Sequence, residues 1–194
     1  MLLLLARHAQ STLNVEQRVN GDPAVAVPLT EQGREEARRL GGQVANIRLD
    51  LCLCSRFGRT RQTAELALAG RNVPIEVDER LDDIKIGDLD GEPIARYREL
   101  KRGLGRKLPF PGGECLDDAA LRYAAAYRDL AGRHVGRILV VCHEIPVRYA
   151  LNAAAGSDAL DGPPFHDLPN AVPFLFDGDA LARAAARIAE LAGA

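Results

Sequence analysis

Arg7, His8, Arg59 and His143 are the side chains in this sequence best suited to handling a phosphoryl group. A neutral imidazole at His8 can attack phosphorus and divide one difficult displacement into two easier ones. Arg7 and Arg59 present planar forks that match pairs of phosphoryl oxygens, and their charge favours a neutral, nucleophilic imidazole beside them. His143 adds a further donor, and Ser11 and Asn14, shortly after His8, offer neutral hydrogen bonds. Such an array supplies positioning and charge stabilisation, the main demands of phosphoryl transfer, with protein-borne cations in place of a metal. Taken singly, each signal is ordinary. An Arg-His pair is commonly a surface dipeptide, a lone histidine after a strand an ordinary hydrogen-bonded residue, and an arginine a solvated one. Their meaning depends on whether the chain brings them to one place.

The elements that precede them say that it does. Residues 2–6 form a continuous apolar run that suits a buried strand of a parallel sheet and ends at Arg7-His8. Residues 49–54 read as a second strand ending at Ser55-Arg56 and leading into a helix that begins at Arg59. The clearest strand, residues 138–142, ends at His143 and is followed by a helix over 145–155. Between them the pattern predicts a helix from Thr30, capped by its hydroxyl, and a short strand over 73–77. An irregular acidic loop over 81–93, a short helix over 93–101, a loop over 103–113 and an Ala-rich helix over 116–132 follow. Residues 156–169 read as a loop and 171–176 as a last strand. The tail, 179–192, is helical by propensity. Alternating buried strands and amphipathic helices predict a single α/β domain, a three-layer α/β/α sandwich with a largely parallel sheet. Ligands of such sheets collect at the carboxyl ends of the strands, where these four side chains stand and where helix N-termini add N–H donors.

Composition narrows the function classes. The formal charge is −2 over 194 residues, so no general attraction to nucleic acid or to an anionic membrane is expected. The apolar start, Met1 to Ala6, lacks a basic flank and is too short to span a bilayer, which points to the cytoplasm. Cys52, Cys54, Cys115 and Cys142 lack zinc-type spacing and read as reduced core or loop residues. No cofactor or metal is implied, and the sequence sets no oligomeric state.

The segment Arg7-His8-Ala9-Gln10-Ser11-Thr12-Leu13-Asn14 resembles the Arg-His-Gly signature of the histidine phosphatase superfamily. In the same order, Ser55 to Ala64 is similar to that family's Arg-bearing second motif. Leu81 to Gly91 resembles its acid-bearing loop, Pro111-Gly-Gly-Glu114-Cys115 its Gly-Glu-Ser turn, and Val140-Val-Cys-His143 its second-histidine motif. Asn170 fits a weaker later one. The resemblance implies a phosphohistidine on His8 and a small phosphorylated substrate held by Arg7, Ser11, Asn14 and Arg59. Asp83 is implied as the acid that protonates the leaving oxygen. It also implies an antiparallel last strand and a tail that pairs with it. The chain departs from the pattern at Ala9 for Gly, Asp83 for Glu, Cys115 for Ser and Glu144 after the second histidine. Ala9 would add a methyl near the phosphate pocket. The short stretch from Gly91 to Gly113 favours a phosphatase over a phosphoglycerate mutase; a phospho-ligand binder without activity and a structural α/β domain are the remaining alternatives. The basic stretch Arg96, Arg98, Lys101, Arg102, Arg106 and Lys107 is either a solvated helix face or a contact for a second acidic group.

Overall fold

The computed structural model describes residues 1–133 and 136–193. Five strands appear among them: β1 (Leu2–Arg7), β2 (Leu51–Cys54), β3 (Ile75–Val77), β4 (Arg137–Cys142) and β5 (Pro173–Asp177). Seven helices accompany them. They are α1 (Thr12–Val15), α2 (Glu31–Gln43), α3 (Gly58–Ala67), α4 (Ile94–Leu104), α5 (Leu116–Ala131), α6 (Glu144–Ala154) and α7 (Gly178–Gly193). The sheet order is β3-β2-β4-β1-β5, parallel throughout except for β5, which runs antiparallel along β1.

Strand pleating sends successive side chains to opposite faces, and two cores result. Leu3 and Leu5 of β1, with Ile138 and Val140 of β4, pack against α5, α6 and α7. Leu4 and Ala6, with Leu139 and Val141, pack against α2 and α3 on the other face. Burial on both faces is why β1 and β4 read as unbroken apolar runs rather than as alternating ones.

The architecture agrees with the expected sandwich, including the antiparallel edge strand. The tail follows its own alanine-rich propensity: α7 is a helix whose Leu181, Ala184, Ala185 and Ile188 enter the core beside α5. It does not pair with β5. A single 3-10 turn, Glu79–Leu81, leads into the acidic loop and a second, Gly87–Leu89, lies within it. The four-residue α1 was not anticipated, being too short to show a period. Cys115 caps α5, its Sγ accepting from the Asp118 N–H at 3.3 Å, so the thiol fills the role a serine hydroxyl would have. All four cysteines are buried free thiols.

Two glycines draw loops into place. Gly33 on α2 lies against the Gln10 carbonyl, where a Cβ would collide with backbone, and so lets α2 press on the segment after β1. Gly87, at φ +55°, lies equally close to Pro111 and ties the acidic loop to the 111–113 turn.

Candidate active site

At the carboxyl ends of β1, β2 and β4 the chain opens a cleft of about 300 Å³. Arg7, His8, Ser11, Asn14, Arg59 and Asp83 all line it. His143 does not: it is fully buried beneath them, its ring centroid 5.4 Å from that of His8.

His8 is fixed from both ends of its residue. Its N–H donates to the Cys142 carbonyl at 2.9 Å, and its own carbonyl accepts from Asn170 Nδ2 at 2.7 Å. The imidazole Nδ1 lies 2.7 Å from the Ala9 carbonyl. A carbonyl only accepts, so this contact puts the proton on Nδ1 and leaves the lone pair on Nε2. Burial first, then Arg59 and Arg7, hold the imidazole pKa well below its ordinary value.

Arg59, on the first turn of α3, connects the site. Its Nε–H donates to His8 Nε2 at 3.2 Å, and its Nη1–H to Asn20 Oδ1 at 2.6 Å. Its Nη2 lies 3.3 Å from His143 Nδ1 and 3.4 Å from Asp83 Oδ2. The guanidinium stacks over the Phe57 ring at 4.3 Å. With Arg59 donating to Nδ1, a consistent chain follows: His143 Nε2–H to Ser55 Oγ at 2.8 Å, Ser55 to Thr60 Oγ1 at 2.9 Å, and Thr60 to the Phe57 carbonyl at 2.8 Å. Burial and Arg59 keep His143 neutral, its pKa also well below ordinary.

Asp83 comes within 3.4 Å of both Arg59 Nη2 and His143 Nδ1. Burial raises its pKa, against the pull of Arg59 in the opposite direction. Its neighbour Asp82 turns away. That carboxylate is 2% exposed and accepts from Arg56 N at 2.9 Å and Arg56 Nε at 2.7 Å, a structural pairing outside the cleft. Arg122 on α5 holds the loop by its carbonyls, donating to those of Arg80, Asp82 and Asp83, while Glu114 pairs with its Nη2 at 2.6 Å. Tyr123 adds a bond to the Asp82 carbonyl at 2.9 Å.

Arg7 Nη1 donates to the Leu168 carbonyl at 2.8 Å and pairs with Glu144 Oε2 at 2.9 Å, while its buried Nε has no partner. Ser11 and Asn14 form a reciprocal cap on α1: Asn14 Oδ1 accepts from Ser11 N at 2.9 Å and Ser11 Oγ at 3.0 Å. The Asn14 carbonyl is thereby spent, and any contact to a phosphoryl oxygen falls to its NH₂. Among the described residues no group of three or more His, Cys, Asp or Glu is placed to hold a metal ion.

The basic stretch divides. Arg98 and Lys101 line the cleft. Lys101 pairs with Asp161 at 2.8 Å, and Arg106 pairs with Asp117 at 2.7 Å and with Asp161. These bonds fasten α4 and the segment after it to α5 and the 156–172 loop. Arg96 and Arg102 are exposed.

The histidine phosphatase superfamily (branch 1) matches residues 3–172 of this chain. The chain belongs to that family. A 2,3-bisphosphoglycerate-dependent phosphoglycerate mutase of Gloeobacter violaceus is 37% identical over 62% of this chain, and that match spans 59% of the relative, less than two thirds of its length. The structure known as Bacillus stearothermophilus YhfR superposes with a TM-score of 0.78 at 30% identity, covering 90% of this chain and 89% of the other. The alpha-ribazole phosphatase of Shigella flexneri does so at 0.71 and 25%, covering 81% of each.

Within this histidine phosphatase frame, Ala9 has a physical account. Its side chain is fully buried in the α2–α3 core and absent from the cleft wall, so the methyl expected near the phosphate pocket points away from it. Asn20, Arg122 and Glu114 position the site, and sequence reasoning gave none of them a role. Glu114 had been visible only as part of a turn motif. Asn20 and Arg122 carry no local signal for these roles, since the contacts of Asn20 to Arg59 and of Arg122 to the acid loop span 39 or more residues.

Proposed function

We propose that this chain is a metal-independent phosphatase that hydrolyses phosphate monoesters through a phosphohistidine on His8. The observation that carries the reading is the unprotonated Nε2 of His8, directed at Arg59 within a cleft that also holds Asp83. In the first step Nε2 forms a bond to phosphorus as the ester P–O bond breaks, and Asp83 gives its proton to the departing oxygen. In the second, water attacks phosphorus and passes a proton to Asp83, the N–P bond breaks, and inorganic phosphate leaves with His8 neutral again. Arg59 and the partnerless Nε of Arg7 take the phosphoryl oxygens, with Asn14 Nδ2 beside them; Ser11 Oγ, whose proton goes to Asn14 Oδ1, joins them only by turning from the cap. His143, accepting from Arg59 at Nδ1, orients that guanidinium beside Asp83.

Hydrolysis is favoured over mutase transfer by the short stretch from Gly91 to Gly113. Two of the cations near the cleft are also committed to protein carboxylates, Lys101 to Asp161 and Arg148 to Asp161 and Glu144. Free buried thiols fit an enzyme working in the reducing cytoplasm, and among the described residues no helix is long and apolar enough to cross a membrane.

The test is phosphate release from a panel of monoesters without bisphosphoglycerate, with and without chelator. Release is expected on several esters and unchanged by chelator, because guanidinium groups carry the charge a metal would. Faster isomerisation of 3-phosphoglycerate than hydrolysis of any ester would make the chain a mutase. A chelator-sensitive rate restored by magnesium or zinc would overturn the mechanism.

A further inference from the structure

The cleft holds a second carboxylate for which the proposed mechanism has no use. Glu144 opens α6 directly after His143 and lines the same cleft as Asp83. Both of its oxygens are taken by guanidinium groups: Oε2 by Arg7 at 2.9 Å and Oε1 by Arg148 Nη1 at 3.1 Å. Arg148 is itself anchored by Asp161 at 3.2 Å and the His166 carbonyl at 3.1 Å, so the Glu144 carboxylate is held in place. A carboxylate beside the phosphate-binding arginine competes with substrate for that arginine, so holding one there weakens ground-state binding. What it offers in return is a fixed negative charge near the acid.

We propose that Glu144 is a positioning residue for the leaving-group step, acting through Asp83 and Arg7 and donating no proton itself. The proposal rests on the phosphatase reading above. A general acid must carry its proton until the leaving oxygen takes it, and aspartate is the more acidic of the two ordinary carboxyl side chains. Here Arg59 on α3, 3.4 Å away, pulls the proton off, and Arg122 on α5 adds to that pull. The Ile84 N–H, bonded to Asp83 Oδ1 at 3.0 Å, favours the ionised form as well. Burial is the main influence that keeps the proton on, and Glu144 on α6 adds to it, because a nearby like charge disfavours a second ionised carboxylate. The remaining titratable groups around Asp83 are His143 at the end of β4, Cys142 before it, Tyr97 on α4 and Tyr123 on α5. Burial raises the pKa of both tyrosines and of the thiol and keeps His143 neutral, so none of them supplies the opposing charge. The same carboxylate steadies Arg7, whose Nη1 it shares with the Leu168 carbonyl.

Glu144→Gln keeps the side chain's size and removes its charge. Three readings are expected on the purified variant. The basic limb of kcat for an alkyl phosphate moves to lower pH, and carboxyl ¹³C titration of Asp83 moves in the same direction without any turnover. KM for the same ester falls, because Arg7 is released to the phosphoryl group, and Glu144→Asp restores much of the wild-type profile. An unmoved Asp83 titration in a folded variant overturns the proposal and leaves the phosphatase reading intact. A leaving-group defect confined to Glu144→Gln, with Asp83→Asn unaffected, makes Glu144 the proton donor and also overturns it. A wild-type protein that hydrolyses no ester removes the phosphatase reading, and the proposal with it.

Discussion

His8→Ala is expected to abolish turnover, with a fall in kcat on the order of 10⁵-fold or more, the scale found when a covalent nucleophile is removed from a site whose other groups act only with it. The size follows from how little else in the cleft can attack phosphorus. His143 is fully buried, and its nitrogens are engaged by Ser55 on one side and by Arg59 and Asp83 on the other. Ser11 lends its Oγ to the α1 cap with no base beside it. The variant should fold, since the His8 backbone bonds to Cys142 and Asn170 do not involve the side chain. Steady-state kinetics with circular dichroism as a folding control would check it. A folded His8→Ala enzyme with substantial activity would require a different nucleophile.

The second large effect belongs to Asp83 and depends on the leaving group. An alkoxide needs a proton in the transition state, whereas p-nitrophenolate departs without one. Asp83→Asn should therefore slow alkyl phosphates by roughly 10²- to 10⁴-fold and p-nitrophenyl phosphate far less. Asp82→Asn should show no such selectivity, because that side chain is committed to Arg56; its effect should be on stability. The pH profile carries the same logic. Activity needs His8 unprotonated and Asp83 protonated. Burial and the two arginines place the His8 limb well on the acid side of the ordinary imidazole range, so the rate falls only as acid reaches that lowered value. Burial lifts Asp83 above the ordinary carboxylate range, so the rate on alkyl esters falls as pH rises through that raised value. The basic limb should vanish in Asp83→Asn. Equal losses on both classes of ester would instead give Asp83 a positioning or folding role.

Much of this was legible in the sequence because the informative elements are local. β1 and β4 announced themselves as strands buried on both faces, and each ends at a histidine. α7 was readable from alanine-rich propensity even though family likeness suggested a pairing strand, and local propensity prevailed because its apolar stripe found a place against α5. What could not be read depends on contacts between distant segments. Arg59 is held by Asn20 and the acid loop by Arg122, each across many residues and with no periodic signature. The choice between Asp82 and Asp83 turned on which way the loop faces, and the clamp on the loop's carbonyls fixes that direction. Glu144 was visible as a departure from the family pattern, but its meaning required seeing that both of its oxygens meet arginines of the cleft.

The covalent intermediate on His8 is tested most directly by rapid acid-free quench of the enzyme during turnover of a ³²P-labelled monoester, followed by peptide mapping. Label should appear on the peptide containing His8, stable to alkali and lost in acid as a phosphoramidate is, and should be absent from His8→Ala. Label on another residue, or rapid turnover by wild type with no trapped phosphate at any quench time, would contradict the account.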